Sequence, residues 1–311
     1  MNAPHIAFIG AGNMASSIIG GLIDAGHPAE RISAADPYPP SLEKLRDIAP
    51  VAVHESNADA VATADVIILA VKPQVMAEAC TSIARQVASS KALVISIAAG
   101  ITIDTMQSRL GQQAAIVRCM PNTPALLGCG ASGLYANEQV SAQQRQYAAD
   151  ILAAVGIITW VPTEQALDAV TALSGSGPAY FFLFMEAMID AGCDQGLDHE
   201  TARTLALQTG LGAARMALEN DVELVELRRR VTSPGGTTQA AHQEWSQARS
   251  KVTSAAPAEP DGLTATFVIR TGSALPVPLN RASAWSSAGT IDAFRRSAAA
   301  PSSANPNTGR I

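Results

Sequence analysis

Gly10, Gly12 and Ala15 form a GxGxxA pattern directly after the short apolar run His5 to Gly10 and directly before apolar residues at helical spacing. The first glycine permits a tight turn, the second lets backbone approach a diphosphate, and the small third residue lets helix and strand pack closely. N–H groups at the helix start then face negative charge, which the helix macrodipole also favours. The chemistry this pattern serves is dinucleotide binding, against the plainer reading of a glycine turn in an α/β sheet. Asp36 stands 24 residues after Gly12, close to the roughly 20-residue offset at which an acid reaches ribose hydroxyls. A turn or capping aspartate at Asp36-Pro37 explains it equally well. A carboxylate there opposes a 2′-phosphate and so favours NADH over NADPH.

Four further segments carry groups able to bind. AVKP, Ala70 to Pro73, follows an apolar run, and Lys72 there can reach phosphate or ribose. MPNTPALLGCG, Met120 to Gly130, has two prolines that stiffen it and offers Asn122 and Thr123 as polar groups able to seat a nicotinamide. SGSGPAY, Ser174 to Tyr180, and TSPGGTT, Thr232 to Thr238, combine glycines with hydroxyls. Both are expected at helix N-termini, which suit a carboxylate. The five histidines, His5, His27, His54, His199 and His242, lie in none of these segments, and no metal-ligand spacing is present. The expected reaction therefore needs no strong protein acid and no metal.

The elements that must position these groups change character along the chain. Strands are expected at His5 to Gly10, Val66 to Val71, Ala92 to Ile97, Ile116 to Met120 and Ile157 to Val161, with helical patterns between them. Near-continuous apolar strands belong to a parallel sheet covered on both faces, which makes the fold class α/β with a doubly wound sheet. From Thr163 the pattern is helical: Gln165 to Leu173, Pro178 to Cys193 and Asp198 to Leu218. The second of these is apolar almost all round, as a helix buried in a core or between subunits would be. The last 70 residues contain 36 Ala, Ser, Pro or Thr and 11 Leu, Ile, Val or Phe, too little core material for an ordered unit. The expected division is a dinucleotide-binding domain over 1–162, a helical substrate and dimerisation domain over 163–250 and an atypical low-complexity, disordered tail over 251–311.

Twenty-one Lys and Arg against 27 Asp and Glu leave a net charge of −6, which argues against a nucleic-acid partner. No apolar run reaches the roughly 20 residues of a membrane span, and residues 1–12 do not resemble an export signal. Four cysteines at separations of 39, 10 and 64 residues fit neither a zinc motif nor a disulfide scaffold, so a cytoplasmic protein is expected.

IGAGNMA, AVKPQ, MPNTPAL, LSGSGPAY and VTSPGGTT, in this order, resemble pyrroline-5-carboxylate reductase over about residues 4–241. The resemblance implies a Rossmann domain followed by a helical domain that interlocks in a homodimer, with dimers often assembled into rings. It implies NADPH or NADH as cofactor and a cyclic imino acid as substrate, reduced by hydride to proline. Cofactor contacts then fall on Ile9, Gly10, Ala11, Gly12, Asn13, Met14, Asn57, Ala70, Lys72, Pro73 and Ala99, beside Asp36 and Asn122. Substrate contacts fall on Ser174, Gly175, Ser176, Gly177, Thr237 and Thr238, the Thr238 hydroxyl meeting the imine nitrogen as the catalytic group. The departure is the tail: HQEWSQARSKV from His242 does not continue the apolar face of the family's last helix. The competing readings are a cofactor-binding but catalytically impaired family member and another imine or 3-hydroxyacid reductase of the same architecture.

Overall fold

The computed structural model describes residues 3–236, 238–239, 252–255 and 266–269 of the 311-residue chain. Strands and helices alternate through its first half: β1 (Ile6–Ile9), α1 (Asn13–Asp24), β2 (Ile32–Ala35), α2 (Pro39–Ile48), β3 (Ala52–His54), α3 (Asn57–Ala60), β4 (Val66–Leu69), α4 (Met76–Ser90), β5 (Leu93–Ser96), α5 (Ile103–Leu110), β6 (Ile116–Met120), β7 (Gly130–Ala136), α6 (Ala142–Ala153) and β8 (Gly156–Trp160). One eight-stranded sheet results, in the order β3-β2-β1-β4-β5-β6-β7-β8. All its pairings are parallel except that of β6 with β7.

Double burial explains the apolar runs. In β4, Val66 and Ile68 join a cluster with Phe8, Ile18 and Leu45, whereas Ile67 and Leu69 join another with Ile9, Met76 and Met106. Successive strand residues point to opposite faces, so a strand covered by helices on both sides has no position for a polar residue. Helices α1, α2 and α6 cover one face, and α3, α4 and α5 the other. At the end of α1, Gly26 takes φ +88°, the left-handed cap that its place in the sequence suggests.

The sheet differs from the sequence expectation at β7. Only nine residues separate Met120 from Gly130, and a parallel return needs a connection of roughly a dozen or more. A tight 3-10 turn at Thr123–Leu127 reverses the chain instead, and β7 pairs antiparallel with β6. The strand GASGLYA lacks β-branched residues and so carries no strand pattern in the sequence.

The second half continues with α7 (Ala166–Val170), a π turn at Thr171–Gly175, α8 (Gly177–Asp194), α9 (His199–Leu218) and α10 (Leu224–Arg230). The helix expected over 165–173 is therefore interrupted at Val170. Helices α8 and α9 form an antiparallel hairpin: Gly192 faces Ala202, and Gly210 faces Met185. Only Gly177 and Ile189 of α8 are buried, while Phe181, Phe182 and Leu183 are 65, 59 and 64 % exposed. Among the described residues little of the same chain covers this helix, which leaves an exposed apolar face. The expected disorder of 251–311 lies mainly outside the described residues; within that range β9 (Val252–Ala255) and β10 (Thr266–Ile269) pair antiparallel.

One buried ion pair ties the sheet to the start of the helical half. Arg118 of β6 is 7 % exposed, and its Nη1 donates to Glu164 Oε1 at 2.8 Å. The same oxygen accepts the Ile103 N–H at 2.7 Å. Removing one partner of such a pair leaves a buried charge, at a cost of roughly 3–5 kcal/mol. Glu164→Ala is therefore expected to lower the unfolding free energy by about 3 kcal/mol in denaturant titration. The double variant Arg118→Met, Glu164→Gln, which removes both charges and keeps an acceptor for Ile103, should lose less. Equal losses in the two variants would mean that the charge pair is not what holds the junction.

Candidate active site

Gly10, at the end of β1, adopts φ +96°, and a Cβ there would sit 2.6 Å from the Ala70 carbonyl oxygen. Its N–H donates to Ala35 O at 2.8 Å, and Ala70 N–H donates to Ile9 O at 2.8 Å, so the turn lies pressed against the ends of β2 and β4. Gly12 caps α1 with no side-chain hydrogen bond to the helix, and a Cβ on it would meet nothing within 4 Å. Open space thus lies directly before uncapped backbone N–H groups, a cradle that a β-branched residue would fill and a diphosphate fits. Ala15 is fully buried in the sheet-facing cluster, as close packing of helix on strand requires. Asn13 and Met14 follow in the first turn of α1.

Asp36 does more than its position alone indicates. Its Oδ2 accepts the Ala11 N–H at 2.7 Å and its Oδ1 accepts the Tyr38 N–H at 2.8 Å. The carboxylate therefore braces the glycine turn and its own loop at once, while facing a cleft of about 490 Å³ lined also by Pro37, Leu42, Arg46 and His54. Of the two readings raised by the sequence, the structure shows the turn bond; the aspartate also lines a cleft.

The parallel strands bring the remaining candidates to the same rim. Ala70, Lys72 and Pro73 follow β4, Ala99 follows β5, and Asn122 follows β6. Lys72 and Ala99 are exposed. Asn57 starts α3, and its Nδ2 donates to Ser82 Oγ at 3.0 Å, which turns that amide toward α4. Asn122 is 9 % exposed, and both ends of its side chain are engaged by protein groups.

Ser174, Gly175, Ser176 and Gly177 span the π turn and the start of α8. The Ser174 hydroxyl donates back to Val170 O at 3.1 Å, so it is not aimed at a ligand. Gly175 receives the Met120 methyl, which would lie 2.7 Å from a Cβ there; this packing seats the loop on the rim. Pro178 occupies the first turn of α8, and no side chain caps the helix. The other loop is placed differently. Thr238 is exposed, Gly235 takes φ +74°, and Thr237 lies outside the described residues. Among the described residues no hydrogen bond joins 232–239 to 174–177.

Burial raises the Cys80 thiol to about 11 and the Cys119 thiol to about 12, so both are protonated at neutral pH and neither is a nucleophile. Burial also lowers the pKa of His27. No group of three or more His, Cys, Asp or Glu able to hold a metal occurs among the described residues. No described helix is long and apolar enough to cross a membrane. Neither Arg118 nor Glu164 is singled out by the sequence reading, although an arginine within the apolar strand IVRCM signals a buried partner elsewhere in the chain, which is Glu164.

Two families match this chain: "Pyrroline-5-carboxylate reductase dimerisation" over residues 164–258 and "NADP oxidoreductase coenzyme F420-dependent" over residues 5–100. A pyrroline-5-carboxylate reductase of Pseudomonas aeruginosa is 58 % identical over 241 residues, covering 78 % of this chain and 88 % of the relative. The solved structure of a Coxiella burnetii pyrroline-5-carboxylate reductase aligns with a TM-score of 0.77 at 43 % identity, over 79 % of this chain and 91 % of that one. The Plasmodium falciparum pyrroline carboxylate reductase, solved with NADP bound, aligns with a TM-score of 0.70 at 32 % identity, over 79 % and 91 %. With this identity spread over more than three quarters of its length, the chain belongs to the pyrroline-5-carboxylate reductase family of NAD(P)H-dependent oxidoreductases.

Proposed function

We propose that the rim at the carboxyl end of the sheet holds a reduced nicotinamide dinucleotide, and that residues 174–177 together with Thr237 and Thr238 hold 1-pyrroline-5-carboxylate for reduction to L-proline. The observation that supports this most is the packing of Met120 on Gly175. It sets the substrate loop beside the strand ends that carry the dinucleotide cradle. Residues 1–162 are read as the cofactor domain and 163–250 as the substrate and dimerisation domain, in a protein of the cytoplasm.

A nicotinamide bound at the rim supplies the hydride. The turn at Ile9 to Met14 presents backbone donors to the diphosphate, with Asn57, Ala70, Lys72, Pro73 and Ala99 along the same edge. The uncapped start of α8 at Ser176 and Gly177 favours the substrate carboxylate through its dipole. The Thr238 hydroxyl bonds the imine nitrogen. A cyclic imine is basic enough to arrive protonated near neutral pH, so the electrophile is already activated. The residues then contribute orientation and fixed dipoles. Closure of the site by the 232–239 loop is assigned to the homodimer formed across the apolar faces of α8 and α9, with rings of dimers as the larger assembly.

Three outcomes test this reading. Gly12→Val should abolish dinucleotide binding in calorimetry while leaving the circular dichroism spectrum normal, since a side chain there enters open space; retained affinity would remove the cradle. Thr238→Ala should lower kcat/KM for the imine by about 10- to 100-fold, the loss of a hydrogen bond of roughly 1.5–3 kcal/mol to a charged group, with dinucleotide affinity unchanged. Unaltered kinetics would show that the hydroxyl does not meet the imine. Asp36→Ser should raise the NADPH to NADH ratio of kcat/KM by about fivefold, the effect of removing a charge worth roughly 1 kcal/mol at 4 Å in water. Since the same carboxylate braces Ala11, affinity for both cofactors should fall, and a constant ratio would leave bracing as its whole role.

A further inference from the structure

Both ends of the Asn122 amide are held by the protein, through one N–H and one lone pair of its oxygen. Its Oδ1 accepts the Ala131 N–H at 2.9 Å, and its Nδ2 donates to the Ser174 carbonyl at 3.1 Å across 52 residues. The orientation of the amide is unambiguous, because a backbone N–H can only donate and a carbonyl can only accept. Ser174 O needs this donor. In a regular helix it would accept from residue 178, but Pro178 has no N–H. The next candidate, the Ala179 N–H, already donates to Ser176 O at 3.0 Å. A partly buried carbonyl at the mouth of α8 would thus lack a helical donor, a costly state, and the side chain that supplies one comes from the loop following β6. The local geometry at Thr171–Gly175 is a π turn, a rare form that occurs mostly as single turns.

We propose that Asn122 is a positioning residue that straps the substrate loop to the nicotinamide rim, setting the distance between the two reactants, and is not itself a cofactor ligand. This rests on the functional reading above for the identity of the reactants. It departs from the sequence expectation, which places the Asn122 side chain against the cofactor. Loss of the strap leaves the cradle at Gly12 intact and lets residues 174–177 drift, and a misplacement on the order of 1 Å costs about 100-fold in rate.

The test uses the full chain and three variants. Asn122→Asp keeps the size and the acceptor for Ala131 but loses the donor; Asn122→Ser removes the amide without adding charge. Pro178→Ala restores an N–H four residues after Ser174. For both Asn122 variants the expected result is a fall in kcat of about 30-fold or more at saturating imine, with the NADPH dissociation constant of the free enzyme, read by fluorescence titration, within twofold of the parent. Hydrogen exchange over residues 171–180 should speed up at least tenfold. In the Pro178→Ala background the Asn122→Asp defect should shrink severalfold, because a second donor is present. A dissociation constant that weakens in step with kcat/KM, with exchange over 171–180 unchanged, would make Asn122 a cofactor ligand and overturn the proposal. So would kinetics matching the parent, a defect untouched by Pro178→Ala, or failure of both Asn122 variants to fold. A parent that forms no proline would overturn the assigned reaction and not the strap, which exchange and NADPH titration read without turnover.

Discussion

Parallel pairing of β1, β2, β4, β5 and β6 is the constraint on which the other features depend. It delivers every loop that follows these strands to one edge, so residues as distant in the chain as Gly12, Asp36, Lys72, Ala99 and Asn122 share a rim. Parallel pairing in turn demands helices on both faces, which forces the strand interiors to be apolar and pushes polar chemistry to the strand ends. The glycine turn then has to pass within van der Waals contact of Ala70. That closeness is what makes Gly10 irreplaceable and leaves the start of α1 open to a ligand.

Polar groups buried at the junction between the two halves act as fasteners. Arg118, Glu164 and the Ile103 N–H form one set, and Asn122, Ala131 N–H and Ser174 O form another. Both originate on or just after β6, the last of the consecutive parallel strands. Such groups add little net stability when satisfied and cost a great deal when one partner is removed. Their effect is therefore to define how the helical half is placed relative to the sheet, which is the property a two-reactant site needs most.

The helical half is stabilised differently. Within one chain the described residues of α8 and α9 bury little between them, and their exposed Phe and Leu side chains lie in the segment, 164–258, that matches the dimerisation family. Burying such a side chain contributes roughly 1.5–3 kcal/mol, so any association that covers them also stabilises the fold of this half.

Much was legible in the residues alone. Periodicity gave away the α/β sheet, the helical hairpin and its apolar helix, and glycines marked the cradle at Gly10 and Gly12, because these patterns are local and report which face of an element is buried. Family resemblance in five short motifs carried the reaction. Tertiary structure decided what depends on pairing between distant segments. The reversal at β7 follows from a nine-residue connection whose strand, GASGLYA, has no pattern of its own. The bonds of Asp36 to Ala11 and of Asn122 to Ser174 span 25 and 52 residues. A side chain's type shows that it can donate or accept, but only the folded geometry selects its partner, since every buried donor competes for whichever acceptor the packing brings within reach.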